Sequence, residues 1–193
     1  LRREWTVYET SDIRKGLKIK MDGDPWIVVD FQFVKPGKGT AFTRVRLKNL
    51  RTGQVLERTF KTGERLEEAN LEEHRAQYLY NDGEDFHFMD QESYEQISIP
   101  RKVMGDAALF LMENMVVDIL FYEGTPMNVE LPTFIEAEIT YTEPGMRGDT
   151  ATGATKSATI NTGATLQVPL FLNQGDWIRI DTRDGTYVER VKK

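Results

Sequence analysis

A lysine stands between two glycines and behind a proline, Pro36-Gly37-Lys38-Gly39, within VKPGKGTAF (34–42). This spacing suits the presentation of an amine. Proline fixes its own φ, and glycine accepts backbone angles that other residues resist. Two glycines also remove side-chain bulk, so such a loop can enter a tight space. What protrudes is a compact ammonium on a flexible four-carbon stem. Other reactive arrangements are scarce. The two histidines, His74 and His87, have no metal-ligand spacing, and the absence of cysteine rules out disulfides, thiolate metal sites and cysteine nucleophiles. The sequence contains no Gly-x-Ser-x-Gly, no P-loop and no Gly-x-Gly-x-x-Gly. Asp22-Gly23-Asp24 is too short for a calcium loop and suits a hairpin turn. No catalytic residue, metal or cofactor is assigned, and the chain is not expected to be an enzyme.

Cations cluster beside the loop. Thr43, Val45 and Leu47 alternate with Arg44, Arg46 and Lys48, and alternate residues of a strand face opposite ways. One face is therefore expected to be apolar and the other to carry three positive charges. The chain as a whole is acidic, with formal charge -6, but residues 1–68 carry +5, residues 69–132 carry −10 and residues 133–193 carry −1. This asymmetry points to one end that meets a polyanion and a middle that avoids it.

The elements that must position these residues are mostly strands. Ile27, Val29, Phe31 and Phe33 alternate with mostly polar neighbours, and glycine-bearing turns punctuate the pattern. A small SH3-like barrel with a long hairpin is expected over 1–68. RLEEANLEEHRA (65–76) is expected as a helical turn or linker. In 69–132, strands over 77–82, 85–90 and 95–99 precede a helix expected at about 101–114, where Met104, Ala108 and Leu111 recur at helical spacing. Two further strands, VVDILFY and MNVEL, complete the order of an OB-type barrel. Residues 133–193 hold five more candidate strands and predict a second OB-like barrel, with a Gly/Thr-rich loop at 144–155. The expected fold class is all-β, three small barrels. No apolar run approaches the roughly 18 residues of a membrane span. LRREWTVYET lacks a signal-peptide apolar core, so a cytoplasmic protein is expected.

Three long stretches carry a family resemblance. KPGKGTAFTRVRLKNLRTGQVLERTF (35–60) resembles the first-domain hairpin of bacterial elongation factor P. QYLYNDGEDFHFMDQESYEQ (77–96) and GDTATGATKSATINTGATLQVPLFLNQGDWIRIDTRDGTYVERV (148–191) resemble its second and third domains. The resemblance implies an L-shaped, tRNA-like arrangement of the three barrels. It implies a monomer that binds the 70S ribosome between the P and E sites, beside peptidyl-tRNA, and relieves stalls at consecutive prolines. The lysine matching Lys38 is commonly extended by a lysine-modifying enzyme, and its tip approaches the acceptor end of the P-site tRNA. Pro36, Gly37 and Gly39 then shape the loop. Lys35, Arg44, Arg46 and Lys48 are expected to face RNA. Gly148, Asp149 and Thr150 match a third-domain loop that approaches the E-site codon, Tyr187 and Arg190 match positions that support activity, and all five are expected to meet RNA; by residue type alone Tyr187 equally suits a packed aromatic and Arg190 a solvated arginine.

Ala154 and Ser157 stand where that family more usually has glycine and proline, and Ile13 replaces a common phenylalanine in the first strand. A paralogue of the family lacks the Gly-Lys-Gly loop, and the intact loop here weighs against it. A barrel-based protein–protein adaptor, docking a basic partner on its acidic middle segment, is the rival from another class.

Overall fold

The computed structural model describes residues 6–145 and 153–193. The chain divides into two compact units. One comprises Leu1–Glu72 with Phe121–Met127, and the other Glu73–Leu120 with Asn128–Lys193. The architecture is all-β, three sheets curled into small barrels.

The first sheet contains β1 (Val7–Glu9), β2 (Lys18–Met21), β3 (Asp24–Val34), β4 (Phe42–Asn49), β5 (Val55–Lys61) and β6 (Arg65–Glu68), in the order β1-β6-β2-β3-β4-β5. Its core gathers Ile13, Leu17, Ile19, Trp26, Val45, Leu47 and Phe60 among others. Each such side chain is worth about 1.5–3 kcal/mol when fully buried. The Trp26 indole N–H donates to the Met21 carbonyl at 3.1 Å, so the buried ring has its polar edge satisfied. Asn49, also buried, organises the β4–β5 turn. Its Oδ1 accepts the backbone N–H groups of Arg51 and Thr52 at 2.7 and 2.9 Å.

The alternation on β4 is as the sequence predicts. Thr43, Val45, Leu47 and Asn49 are buried, while Arg44, Arg46 and Lys48 are exposed. The strand before the loop departs from expectation. The β3–β4 register shifts between Val28 and Asp30, so Ile27 lies opposite Lys48 on the outer face whereas Phe31 lies opposite Val45 on the inner one. A bulge adds one residue and breaks the two-residue alternation. Ile27, Val29, Phe31 and Phe33 therefore do not share one face. Trp26 and Val28 supply the buried side chains, and Phe31 and Phe33 are exposed.

RLEEANLEEHRA forms strands, with no helical turn. β6 ends at Glu68, and β7 (Leu71–Asn81) opens the second sheet. With β8 (Asp85–Asp90), β9 (Gln96–Pro100), β10 (Val116–Tyr122) and β11 (Thr125–Glu130) it follows the order β11-β10-β7-β8-β9. The expected helix at 101–114 shrinks to α1 (Arg101–Met104) and a 3-10 turn, Gly105–Leu109. Gly105 sits at φ 51 and ψ −135, which no α-helix continues through.

The third sheet contains β12 (Phe134–Thr142), β13 (Thr155–Ile160), β14 (Thr165–Pro169), β15 (Trp177–Asp181) and β16 (Thr186–Val191), ordered β14-β13-β12-β15-β16. β14 lies against β16, which curls the sheet on itself. Phe110 joins the core of this sheet, beside Ile135, Ile139, Val168, Leu172 and Ile180. Met104, at the end of α1, and Leu111, in irregular chain, are buried on either side of this plug.

Candidate functional site

The loop between β3 and β4 tips a hairpin whose base is held in the first barrel. β2 pairs with β3 only from Met21–Asp24 to Lys18–Ile27. Beyond that point β3 pairs with β4 as far as Val34–Phe42, and β4 pairs with β5 along its length. A three-stranded arm results, with Lys38 in its terminal loop. The side chain of Lys38 is exposed, and no hydrogen bond or ion pair engages its ammonium among the described residues.

The two loop glycines have different roles. Gly39 has φ +108, a conformation that L side chains rarely adopt, and a Cβ there would lie 3.9 Å from Pro36 Cγ. Gly37 is outside the positive-φ region, and a Cβ there would meet nothing within 4 Å. Its conformational freedom is not used, which corrects the expectation that both glycines serve the backbone. Its contribution is the absence of bulk beside Lys38. Pro36 is half-buried and Lys35 exposed.

The outer face of the arm carries the predicted cations in cross-strand register. Arg44 lies between Gln32 and Thr59, Arg46 between Asp30 and Glu57, and Lys48 between Ile27 and Val55. Asp30 is claimed by Lys15 at 3.0 Å, and that hydrogen bond holds its carboxyl below the usual carboxylate range. None of the three row cations forms an ion pair among the described residues. The structure thus brings Arg44, Arg46 and Lys48 together on the arm that ends in Lys38.

The remaining predicted residues lie elsewhere. Gly148, Asp149 and Thr150 fall outside the described residues. Tyr187 and Arg190 share β16. Tyr187 packs against the third core, and burial pushes its phenol up. Arg190 Nη2 pairs with Asp176 Oδ1 at 2.8 Å, while the other Asp176 oxygen accepts the Asn173 backbone N–H at 2.8 Å. The packed aromatic is realised for Tyr187. Arg190 is an ion-paired strut.

Each histidine meets the carboxylate of a turn. His87 Nε2 meets Asp82 Oδ2 at 2.7 Å, and Tyr80 stacks on the imidazole with centroids 4.5 Å apart. His74 Nδ1 meets Asp90 Oδ2 at 2.7 Å. Each carboxylate also accepts backbone N–H bonds from the turn that follows it, Asp82 from Glu84 and Asp85, Asp90 from Glu92 and Ser93. No group of side chains able to hold a metal occurs among the described residues. The exposed pair Phe31 and Phe33 escapes sequence reasoning, because only the bulge reveals their face. No helix among the described residues is long and apolar enough to cross a membrane.

Two solved structures share the fold. One is described as eukaryotic translation initiation factor 5A from Methanococcus jannaschii, with TM-score 0.54 and 22% identity over 68% of this chain and 98% of that one. The other is a translation initiation factor eif-5a family protein from Naegleria fowleri, with TM-score 0.54 and 17% identity over 66% and 99%. Both likenesses speak for the fold alone. With the lysine-tipped arm, the fold defines a protein built of small β-barrels.

Family models refine the class. The elongation factor P KOW-like domain matches residues 9–66, its OB domain 71–129 and its C-terminal domain 135–190. Elongation factor P of Thermoanaerobacter sp. (strain X514) is 57% identical over 94% of this chain and 98% of that one. Those of Clostridioides difficile and Moorella thermoacetica are 53% and 52% identical, each over 96% of this chain and 100% of theirs. The chain belongs to the elongation factor P family. It is a translation elongation factor, and membership implies interaction with the ribosome.

Proposed function

We propose that this factor binds the 70S ribosome between the P and E sites and speeds peptide-bond formation at consecutive prolines by holding the P-site peptidyl-tRNA still. The supporting observation is the arm. It ends in an exposed Lys38 with no partner among the described residues and carries Arg44, Arg46 and Lys48 along one face. Proline's ring restricts the geometry of attack, so a proline pair loses rate through misalignment. Orientation alone can contribute about 7–11 kcal/mol at the extreme, and a bracing factor need donate no proton. The row cations meet tRNA phosphates without regard to sequence, and Lys38 supplies the reach.

In this reading Lys38 is extended by a separate lysine-modifying enzyme, which lengthens its stem. The exposed ammonium and the uncrowded flank at Gly37 make it accessible to such an enzyme. Three barrel modules, over 1–68, 69–132 and 133–193, carry the arm as a cytoplasmic monomer, with Gly148, Asp149 and Thr150 directed at the small subunit. Lys38→Ala is tested in cells deleted for the factor and carrying a proline-run reporter. Reporter synthesis is expected to fall to the level of the deletion, and synthesis at the wild-type level would overturn the proposal. The mass of the native peptide containing Lys38 reads the modification directly.

A further inference from the structure

The arm has a second face, opposite the cations. On it Phe31 lies opposite Val45, which lies opposite Arg58, and Phe33 lies opposite Thr43, which lies opposite Phe60. Val45, Thr43 and Phe60 are buried, yet Phe31 is 40% and Phe33 60% exposed. Pairing with β2 ends at Ile27, so no other strand among the described residues flanks the two rings. They stand on alternate residues of one strand, hence on one side and about 7 Å apart. The Arg58 guanidinium lies over the Phe60 ring, 5.4 Å from its centroid, on the same face.

We propose that Phe31 and Phe33 form a stacking platform for unpaired RNA bases. Aromatic rings at alternate strand positions present flat π faces, and every base has a face to lay on them. Charge selects RNA over a protein partner. Residues 1–68 carry +5, the opposite face holds Arg44, Arg46 and Lys48, and Lys35 follows Phe33 by two residues. A polyanion is held by the cations while its exposed bases settle on the rings, so the arm is gripped from both sides. This inference rests on the proposed ribosomal function, since it assumes that the arm enters an RNA environment.

The test uses the full-length chain and a fluorescein-labelled oligoadenylate, with binding read by anisotropy at low salt. Phe33→Ala is expected to weaken binding about tenfold, the scale of one stacked base. Phe33→Leu keeps the apolar surface and loses the same factor. Phe33→Trp restores binding, and the introduced indole loses emission as RNA is added. Thermal midpoints of all three variants are expected to match the parent, because position 33 is exposed.

Binding by Phe33→Leu equal to the parent's would overturn stacking and make the pair an apolar protein-docking surface. Unchanged binding by Phe33→Ala would overturn it outright, as would an absence of binding by the parent. Failure here is separable from failure of the ribosomal reading. If Lys38→Ala still abolishes proline-run synthesis while Phe33→Leu binds oligoadenylate normally, only the stacking proposal falls.

Discussion

Phe110 and Gly185 meet across the end of the third barrel. A Cβ built on Gly185 would lie 3.0 Å from Phe110 Cζ, and Gly185 has φ +70. The ring comes from the connector after α1 and is buried in the core of a sheet that begins 24 residues later at Phe134. Beside it, the Thr162 hydroxyl donates to the Leu109 carbonyl at 2.7 Å. Leu131, in the linker before β12, packs on the same core. The inserted ring thus helps to fasten the chain after α1 to the third sheet, and the glycine makes room for it.

Phe110→Ala is expected to cost about 3–5 kcal/mol, the range for removing a buried aromatic ring. Gly185→Ala strains the backbone and crowds the ring, and is expected to cost about 1–3 kcal/mol. Denaturant unfolding measures both. Gly185→Ala in a Phe110→Leu background separates the two costs, since the shorter side chain relieves only the crowding.

Acid is expected to loosen the second barrel. Asp82 has its carboxyl lowered to about 2, first by the Asp85 backbone N–H, then by His87 and by the Glu84 backbone N–H. Asp90 is lowered as well, first by the Ser93 backbone N–H and then by His74. A carboxylate depressed in the folded state stabilises above its unfolded value of about 4, and that contribution fades as pH falls through the folded value. The thermal midpoint should therefore drop between about pH 4 and pH 2. Asp82→Asn should lower it at neutral pH and flatten the slope in that window.

Ribosome affinity should depend on salt through the outer face of the arm. Each phosphate left without its cation lowers the slope of log affinity against log salt by about 0.7–0.9. Replacing Arg44, Arg46 and Lys48 together by alanine should reduce the slope by about 2–3. Pelleting with 70S particles across a salt series measures it. A parallel shift with unchanged slope would mean that these cations meet no phosphate.

Arg190 and Tyr187 are expected to act through the third barrel. Arg190→Ala should cost no more than about 1 kcal/mol, since the arginine is half exposed. Asp176→Ala should cost more, because the Asn173 N–H loses its acceptor as well. Tyr187→Phe retains the packing and should leave the midpoint near the parent's, whereas Tyr187→Ala should lower it. Thermal melts of the four variants decide between these roles.

The fold was legible where one face of a strand is buried and the other wet. β4 shows this most plainly, with Val45 and Leu47 set against Arg44 and Arg46. It was illegible where periodicity arose from another cause. Met104, Ala108 and Leu111 mimic a helix, but the chain turns at Gly105 to deliver Phe110 into a distant core. RLEEANLEEHRA has a helix-friendly composition, yet strand partners claim it, Glu67 opposite Val7 and Glu68 opposite Ile19. Local preference yields there to tertiary pairing. Within the candidate site, the lysine and the cation row were visible as residue types in register. The aromatic face was not, because a bulge leaves no mark in composition. Whether Arg190 was paired or solvated also had no local signal, since its partner Asp176 belongs to a different turn.

The extra residue near Val29 sets a parity rule for the arm. Strand side chains swap sides with every residue, so inserting or deleting one residue in β3 between that point and Phe31 would move the two aromatic rings onto the side of the β4 cations. Inserting two residues in each of β3 and β4 would preserve the sides and extend the reach by about 6.6 Å. Relatives with longer or shorter arms should therefore differ there by even numbers of residues, unless they carry a compensating bulge of their own.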